Sequence, residues 1–120
     1  AVLRGRVVVP AEARAMPGAG RFDQRHLIRM TQTRSAALVR CYESELRTDP
    51  TLAGTVIVTL TIQTSGSITG VRVSEDSTLA SGATRSCISG VLARFRFDPG
   101  PEDAPATYVL PLTFEIVPPR

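Results

Sequence analysis

The sequence predicts an α+β domain with two helices packed on one face of a three-stranded antiparallel sheet, in the order α-β-β-α-β. Apolar and polar side chains alternate over residues 55–63, as they do in a strand with one buried face. Apolar residues recur at three- and four-residue spacing over residues 24–48 and again over 79–95, which is the periodicity of amphipathic helices. The 120 residues, 42% of them hydrophobic, fit the size and composition of one small globular domain.

The first residues predict a linker that contains one short strand. Three consecutive valines favour a strand over residues 4–10, which would add an extra N-terminal strand to the sheet. Residues 12–21 are rich in Ala, Gly and Pro and have no period, so we interpret them as a loop. The chain therefore divides into a linker (1–22), a domain (23–117) and a tail (118–120).

The first helix begins after Asp23, whose carboxylate can cap its N-terminus. Its apolar stripe includes Leu27, Leu38 and Leu46, and the helix is expected to end near residue 48, before Pro50. Cys41 lies at the border of this stripe.

A hairpin follows the first helix. In residues 55–63 one face carries the apolar side chains Val56, Val58, Leu60 and Ile62, and the other face carries threonines. Residues 64–67 form a turn, and residues 68–73 return as a second strand in which Gly70 marks a bulge.

The second helix is expected after a polar stop at residues 75–78, which offers several N-cap candidates. Its apolar stripe contains Leu79, Ala83, Cys87, Ile88, Val91, Leu92 and Phe95. Cys87 lies at the centre of this stripe, which predicts that it faces the core. Residues 94–100 end the helix and begin a loop.

The last strand is predicted over residues 107–117, with the side chains of Tyr108, Leu110, Leu112 and Phe114 on one face. Pro111 lies inside it and has no N–H to donate to a neighbouring strand. Since proline in a sheet is confined mainly to edges or bulges, we place this strand at an edge.

The two cysteines leave two alternatives, a pair of buried free thiols or one disulfide, because a zinc site needs more ligands than two cysteines and one histidine supply. If the two helices lie side by side on the sheet, a Cys41–Cys87 disulfide becomes geometrically feasible and closes a loop of 46 residues. It would place the chain in an oxidising compartment such as a bacterial periplasm.

All 14 basic residues are arginines, and they are unevenly distributed. Residues 1–40 carry a net charge of +6 and residues 41–120 a net charge of −3. A basic leader could steer the chain to anionic lipid or nucleic acid, but a solvated linker and helix face explain it more simply. Nucleic-acid binding is further disfavoured by an aromatic content of 4 Phe, 2 Tyr and no Trp.

Catalytic signals are weak. His26 is the only histidine, and the sequence has no G-x-S-x-G nucleophile elbow. Asp49 and the pair Glu75 and Asp76 fall in predicted turns, where capping and solubility account for them. We expect no catalysis, no cofactor and no metal.

Three segments together resemble a known family. Residues 54–77 (GTVIVTLTIQTSGSITGVRVSEDS), 94–99 (RFRFDP) and 109–116 (VLPLTFEI) are similar to the carboxy-terminal domain of TonB energy transducers. The sequence is more similar still to the TonB-like AgmX/PglI family of myxobacterial gliding proteins. That family carries a C-Y-E-x-x-L motif in its first helix, matched here by residues 41–46, and a second cysteine in its last helix, matched by Cys87.

This resemblance, which covers residues 24–117, implies a periplasmic module at the C-terminal part of an inner-membrane-anchored protein. Such modules pass force from a proton-driven motor to an outer-membrane or periplasmic partner. Residues 1–23 lack the QPxYP-type segment of transporter-docking TonB proteins, which favours gliding motility or envelope trafficking over nutrient transport.

In the TonB family the partner contributes an extended peptide that pairs with the last strand. An edge strand with unpaired backbone groups suits this β-augmentation. The partner-binding residues would be Thr107, Tyr108, Val109, Leu110, Pro111, Leu112, Thr113, Phe114 and Glu115.

A structural alternative remains open for the last strand. An exposed edge also invites pairing with a second copy, as a homodimer, or with residues 3–9 of the same chain. Either arrangement would leave less room for a partner peptide.

Overall fold

The computed structural model describes residues 3–74, 77–79 and 82–118. These residues form a mixed α+β fold of three helices and five strands, so the predicted class is confirmed at that level. The elements in chain order are β1 (Gly5–Val8), β2 (Arg14–Ala15), α1 (Gln24–Thr33), α2 (Ser35–Leu46), β3 (Gly54–Ile62), β4 (Ile68–Val73), α3 (Gly82–Ala93) and β5 (Ala106–Ile116).

The sheet is antiparallel and has the strand order β1-β5-β3-β4, with β2 also paired to β5. The predicted extra strand is present as β1. Residues 14 and 15, which the sequence places in a loop, form β2 instead. Nine residue pairs join β5 to β3, from Gly54–Phe114 to Ile62–Ala106, which makes this the longest strand pairing of the described sheet.

The core lies between one face of this sheet and the helices. Strict alternation in β3 buries Val56, Val58, Leu60 and Ile62, all with 0% exposure. These side chains meet buried residues of every helix, among them Leu27, Leu38, Ile88 and Leu92. The predicted hairpin and its core face are therefore confirmed, including the irregular register opposite Gly70, whose φ is +62°.

The predicted single helix over residues 24–48 is wrong, because it is divided at Arg34. The hydroxyl groups of Thr31 and Thr33 donate to the carbonyl oxygens of Leu27 and Arg29, at 2.8 and 2.9 Å. A hydroxyl that donates to the carbonyl four residues earlier in the same helix tends to bend that helix. Arg34 then leaves the helical region, with φ −98° and ψ 13°, and separates α1 from α2.

The predicted orientation of the last helix is also wrong for two residues. The buried residues of α3 are Thr84, Ile88 and Leu92, whereas Ala83 and Cys87 are exposed. The buried stripe thus follows a spacing of four from Thr84. Cys87 lies on the flank of α3 that faces α2, and not at the centre of the core face.

The polar residues Ser77 and Thr78, which precede α3, form hydrogen bonds to strand β3. The hydroxyl of Ser77 accepts the N–H of Ile57, and that of Thr78 accepts the N–H of Thr55, both at 2.9 Å. These bonds satisfy the N–H groups on the β4 side of β3 beyond the end of β4. The other two N-cap candidates, residues 75 and 76, lie outside the described residues, as do residues 119 and 120 of the tail.

Candidate partner-binding strand

The strand expected to bind a partner lies inside the sheet. The sequence places it at an edge, and this is wrong: β5 lies between β3 on one side and β1 with β2 on the other. The alternative in which residues 3–9 pair with this strand matches the structure, since Gly5–Val8 pairs with residues 113–116.

Pro111 is nevertheless accommodated as the sequence rule requires. The N–H of Met16 donates to the carbonyl of Thr107, and the N–H of Val117 donates to that of Arg4, at 2.8 Å each. Backbone groups alternate in direction along a strand, so the odd-numbered residues of β5 face β1 and β2, and the even-numbered ones face β3. The nitrogen of Pro111 therefore faces the β1–β2 side, and a strand paired at that position would lack one hydrogen-bond donor.

That side is interrupted at Pro111. Strand β1 pairs with residues 113–116 and β2 with residues 108 and 109, and neither pairs with residues 110–112. A proline inside the strand is tolerated because the ladder is open at that position. We define the outer side of β5 as its backbone groups at residues 107–117 that face β1, β2 and the gap between them.

Helix α2 and the end of β5 hold β1 in place. The N–H of Gly5 points away from β5 and donates to Oε2 of Glu43 at 2.9 Å. Nε of Arg6 donates to Oε2 of Glu115 at 2.8 Å, in an ion pair whose side chains are 59% and 40% exposed. Val7 is partly buried and Val8 is 47% exposed. Gly5 and Val7 therefore connect β1 to the rest of the fold, Gly5 through α2 and Val7 through the core.

Strand β2 is the element that sequence reasoning missed. The N–H of Ala13 donates to Oε1 of Gln24 at 2.6 Å, which ties the segment to α1. Polar residues and alanines alternate from Glu12 to Ala15, a signal for a strand that is too short to distinguish from a loop. Ala13 is buried and Arg14 exposed, as that alternation requires, but Ala15 is exposed as well.

The side chains of the predicted site divide into two sets. The even-numbered ones, Tyr108, Leu110, Leu112 and Phe114, are at most 3% exposed and belong to the core. The odd-numbered ones lie on the opposite face, which carries no helix among the described residues; they are Thr107, Val109, Pro111, Thr113 and Glu115. Only the second set is available to a partner.

Threonine pairs order this open face. The hydroxyl groups of Thr55 and Thr113 lie 3.0 Å apart, and those of Thr61 and Thr107 lie 2.8 Å apart. Cross-strand pairs of this kind add to the stability of a sheet. Between them, a shallow recess of about 580 Å³ is lined by Glu12, Arg14, Met16, Ile57, Thr59, Ser74, Val109 and Pro111.

The disulfide predicted from the two cysteines is present. Cys41 in α2 and Cys87 in α3 are bonded, with their Cα atoms 5.6 Å apart and a sequence separation of 46. It joins two of the helices that cover the sheet. Cys41 is 3% exposed, whereas Cys87 is at the surface.

The other residues of the C-Y-E-x-x-L segment each connect α2 to the rest of the fold. The ring of Tyr42 packs at 5.3 Å between centroids from Phe114 of β5, and its hydroxyl donates to the carbonyl of Leu52. Glu43 holds β1 through Gly5, and Leu46 is 2% exposed in the core. Burial, together with the negative charge of Glu115, raises the pKa of Tyr42.

The pKa values of Asp23 and Tyr108 are shifted by their surroundings. The carboxylate of Asp23 accepts hydrogen bonds from the side chain and the backbone N–H of Arg25, which lower its pKa to about 2. Burial raises the pKa of Tyr108, and the charge of Asp23 adds to this.

No group of three or more metal-binding side chains occurs in the described part of the chain. Within the same residues, no helix has the length and apolar character needed to cross a membrane.

Comparison of the chain with models of protein families, with curated proteins and with solved structures finds no match. The similarity to TonB-like domains therefore stays a prediction from the sequence motifs.

Proposed function

We propose that this chain is a TonB-like periplasmic module that transmits force or energy from an inner-membrane motor to an envelope partner, in gliding motility or envelope trafficking. The partner contributes an extended peptide that pairs with the outer side of β5. One observation carries the proposal: that side is covered by four pairs to β1 and two to β2, against nine between β5 and β3.

Because β5 has a neighbour on each side, the partner peptide has to replace β1. Four attachments hold β1 among the described residues: an exposed ion pair, which contributes about 0–1 kcal/mol, the contact of Gly5 with α2, the packing of Val7 against the core, and one short ladder. A longer strand from a partner would also run past residues 110–112, where neither β1 nor β2 pairs. There it would gain one acceptor, the carbonyl of Pro111, because residues 110 and 112 face β3 and Pro111 has no N–H.

The sheet suits a force-bearing role once a partner strand is in place. Hydrogen bonds in an antiparallel ladder lie perpendicular to the strands, so a pull along the strand loads them together. The load would pass from β5 to β3 through nine residue pairs. Helices α2 and α3, which cover that sheet, are joined by the Cys41–Cys87 disulfide, a bond typical of proteins in an oxidising compartment such as the periplasm.

Selectivity would come from the open face. Val109, Thr113 and Glu115 have partly exposed side chains beside the ladder that a partner would form. Alternate residues of the partner peptide would lie next to them, since side chains of paired strands share a face. Glu115, released from Arg6, would favour a basic residue in the peptide.

In-cell photo-crosslinking from a probe at position 113 tests the proposal, with the crosslinked peptides identified by mass spectrometry. Two proline variants make a matched pair. The N–H of residue 8 points at β5, whereas the N–H of residue 7 points away from it. Val8→Pro therefore removes a hydrogen-bond donor between β1 and β5 and weakens their pairing, while Val7→Pro leaves the donors of that ladder in place. We expect a crosslink to a defined extended segment of an envelope protein, with a higher yield in Val8→Pro than in Val7→Pro.

A probe at Arg72 in β4 is the positional control, because it lies on the far edge of the sheet. Crosslinks from position 113 only to residues 3–9, or only to a second copy of the chain, would contradict partner binding. The second result would support a strand-paired homodimer with no peptide ligand.

A further inference from the structure

Five arginines border a groove on the helical side of the molecule. One wall carries Arg29, Arg34 and Arg40 from α1, α2 and their junction, and the other carries Arg94 and Arg96 after α3. We call this feature the arginine groove. It consists of two adjacent recesses of about 370 and 330 Å³, one beside residue 29 and one beside residue 40. They are neighbours because the consecutive residues Thr33 and Arg34, and likewise Arg96 and Phe95, line one recess each.

The floor of the arginine groove is apolar. Its deepest side chains, Phe95 and Phe97, are 2% and 6% exposed, and they are flanked by the partly buried Met30 and Val91. The corner after α3 holds them there: the N–H of Phe97 donates to the carbonyl of Gly66 at 2.9 Å. The groove thus combines an apolar base with a cationic rim.

The positive charge of the groove is not balanced locally. Asp98 is the one acidic residue among those that line the two recesses. The ion pairs formed within the described residues use Arg6, Arg21 and Arg25, all of which lie elsewhere. Arg96 donates to the carbonyls of Ala93 and Phe95, which leaves its charge without an anionic partner in the described part of the chain.

We propose that the arginine groove binds an acidic, apolar-containing peptide segment of a protein partner. Guanidinium groups bind carboxylates through paired, directional hydrogen bonds, so the rim would take Asp or Glu side chains. The recesses between the arginines would take the apolar side chains that alternate with them. This goes beyond the proposed function, since no residue of the groove belongs to β1, β2 or β5.

An extended acidic segment fits the groove better than a membrane or a nucleic acid. The large apolar side chains exposed in the described residues are Val8 and Met16, which lie on the strand side, so nothing at the groove rim would insert into lipid. Phe95 and Phe97 are too buried to stack on bases.

The disulfide prepares the groove for binding. Cys41 follows Arg40 directly, and Cys87 lies one helical turn before Val91, so the bond ties the α2 wall to the α3 wall. A rigid site loses less conformational entropy when its ligand binds. Reduction should therefore weaken binding without removing any groove side chain.

The test measures binding of a short fluorescent peptide, in which glutamates flank leucines, by fluorescence anisotropy at fixed salt. The groove variant Arg40→Gln with Arg94→Gln is compared with Arg47→Gln with Arg72→Gln, which removes the same charge from exposed sites outside the groove. We expect the groove variant to bind about tenfold more weakly or worse, and the matched variant to stay within about twofold. A peptide with Gln in place of Glu should not bind.

Equal weakening in the two double variants would overturn the proposal, because it would show attraction by net charge alone. Absence of peptide binding, or groove-dependent binding of phosphatidylglycerol vesicles or duplex DNA in preference to the peptide, would overturn it as well. Melting curves of both variants verify that they fold. Crosslinking from position 113 should be unchanged in the groove variant, so failure here is distinguishable from failure of the proposed strand addition.

Discussion

Gly5 of β1 lies directly against the ring of Tyr42 in α2, with no space for a Cβ atom between them. The Tyr42 ring is 0% exposed and its hydroxyl is bonded to the carbonyl of Leu52, so the ring cannot swing aside. This contact, with the bond from Gly5 to Glu43, fixes one end of β1, whereas the other end is held by the ladder with β5 and by the packing of Val7 against the core.

The substitution Gly5→Ala should loosen β1 and destabilise the domain. Overpacking against a fixed core side chain costs about 1–3 kcal/mol, and part of that cost is relieved if β1 lifts from β5. Denaturant unfolding measures the loss, and amide exchange in β1 locates it. An unchanged midpoint with unchanged exchange in β1 would contradict the tight contact.

Gly90→Ala should have the opposite effect. Residue 90 lies inside α3, is exposed, and has no atom within 4 Å of the position that a Cβ would take. Replacing glycine by alanine in a helix interior stabilises by about 0.5–1 kcal/mol. An increase of that size in the free energy of unfolding is expected, and a decrease would mean that this position is packed against something.

Removal of the disulfide by the double change Cys41→Ala and Cys87→Ala should destabilise the domain. Loop-closure entropy for 46 residues is about 4 kcal/mol. Chemical denaturation compares the variant with the oxidised protein. Titration of thiols in denatured, unreduced protein taken from cells should give none, and two titratable thiols would contradict both the bond and the oxidising compartment.

The carboxyl group of Asp23 should titrate near pH 2 in the folded protein, because Arg25 binds it through side chain and backbone. Its folded pKa is below the ordinary value of about 3.9, so the stability it contributes is complete above that value and is lost as the pH falls through 2. NMR titration measures this pKa directly. Arg25→Gln should raise it, while Arg29→Gln should leave it in place.

Local patterns in the sequence predicted much of this fold. Strict alternation in β3 specified its buried face, because a slip of one residue would bury the threonines. The position of Cys41 on α2 and of Cys87 on α3 was close enough to predict their disulfide, although the exact rotation of α3 was missed. That rotation depends on burying Thr84 in place of Ala83, a choice made by tertiary packing.

The position of β5 within the sheet could not be predicted in the same way. Pro111 indicated a strand edge. The structure meets that requirement because three residues of β5, 110–112, pair with neither β1 nor β2. Pairing between Val8 and Thr113 joins residues far apart in sequence, and no local pattern specifies it. The division of the long helix at Arg34 likewise depends on hydroxyl bonds of Thr31 and Thr33, whose effect on a helix is small and cumulative.

Native-state hydrogen exchange within β5 tests most directly the claim that β1 is a displaceable cover. The amides of Thr113 and Glu115 face β1, whereas those of Leu112 and Phe114 face β3. If β1 opens on its own, the first pair exchanges through a local opening of lower free energy that is insensitive to denaturant, and the second pair exchanges only with global unfolding. Equal opening free energies for all four amides would show that β1 is an integral strand, and would contradict its role as a displaceable cover.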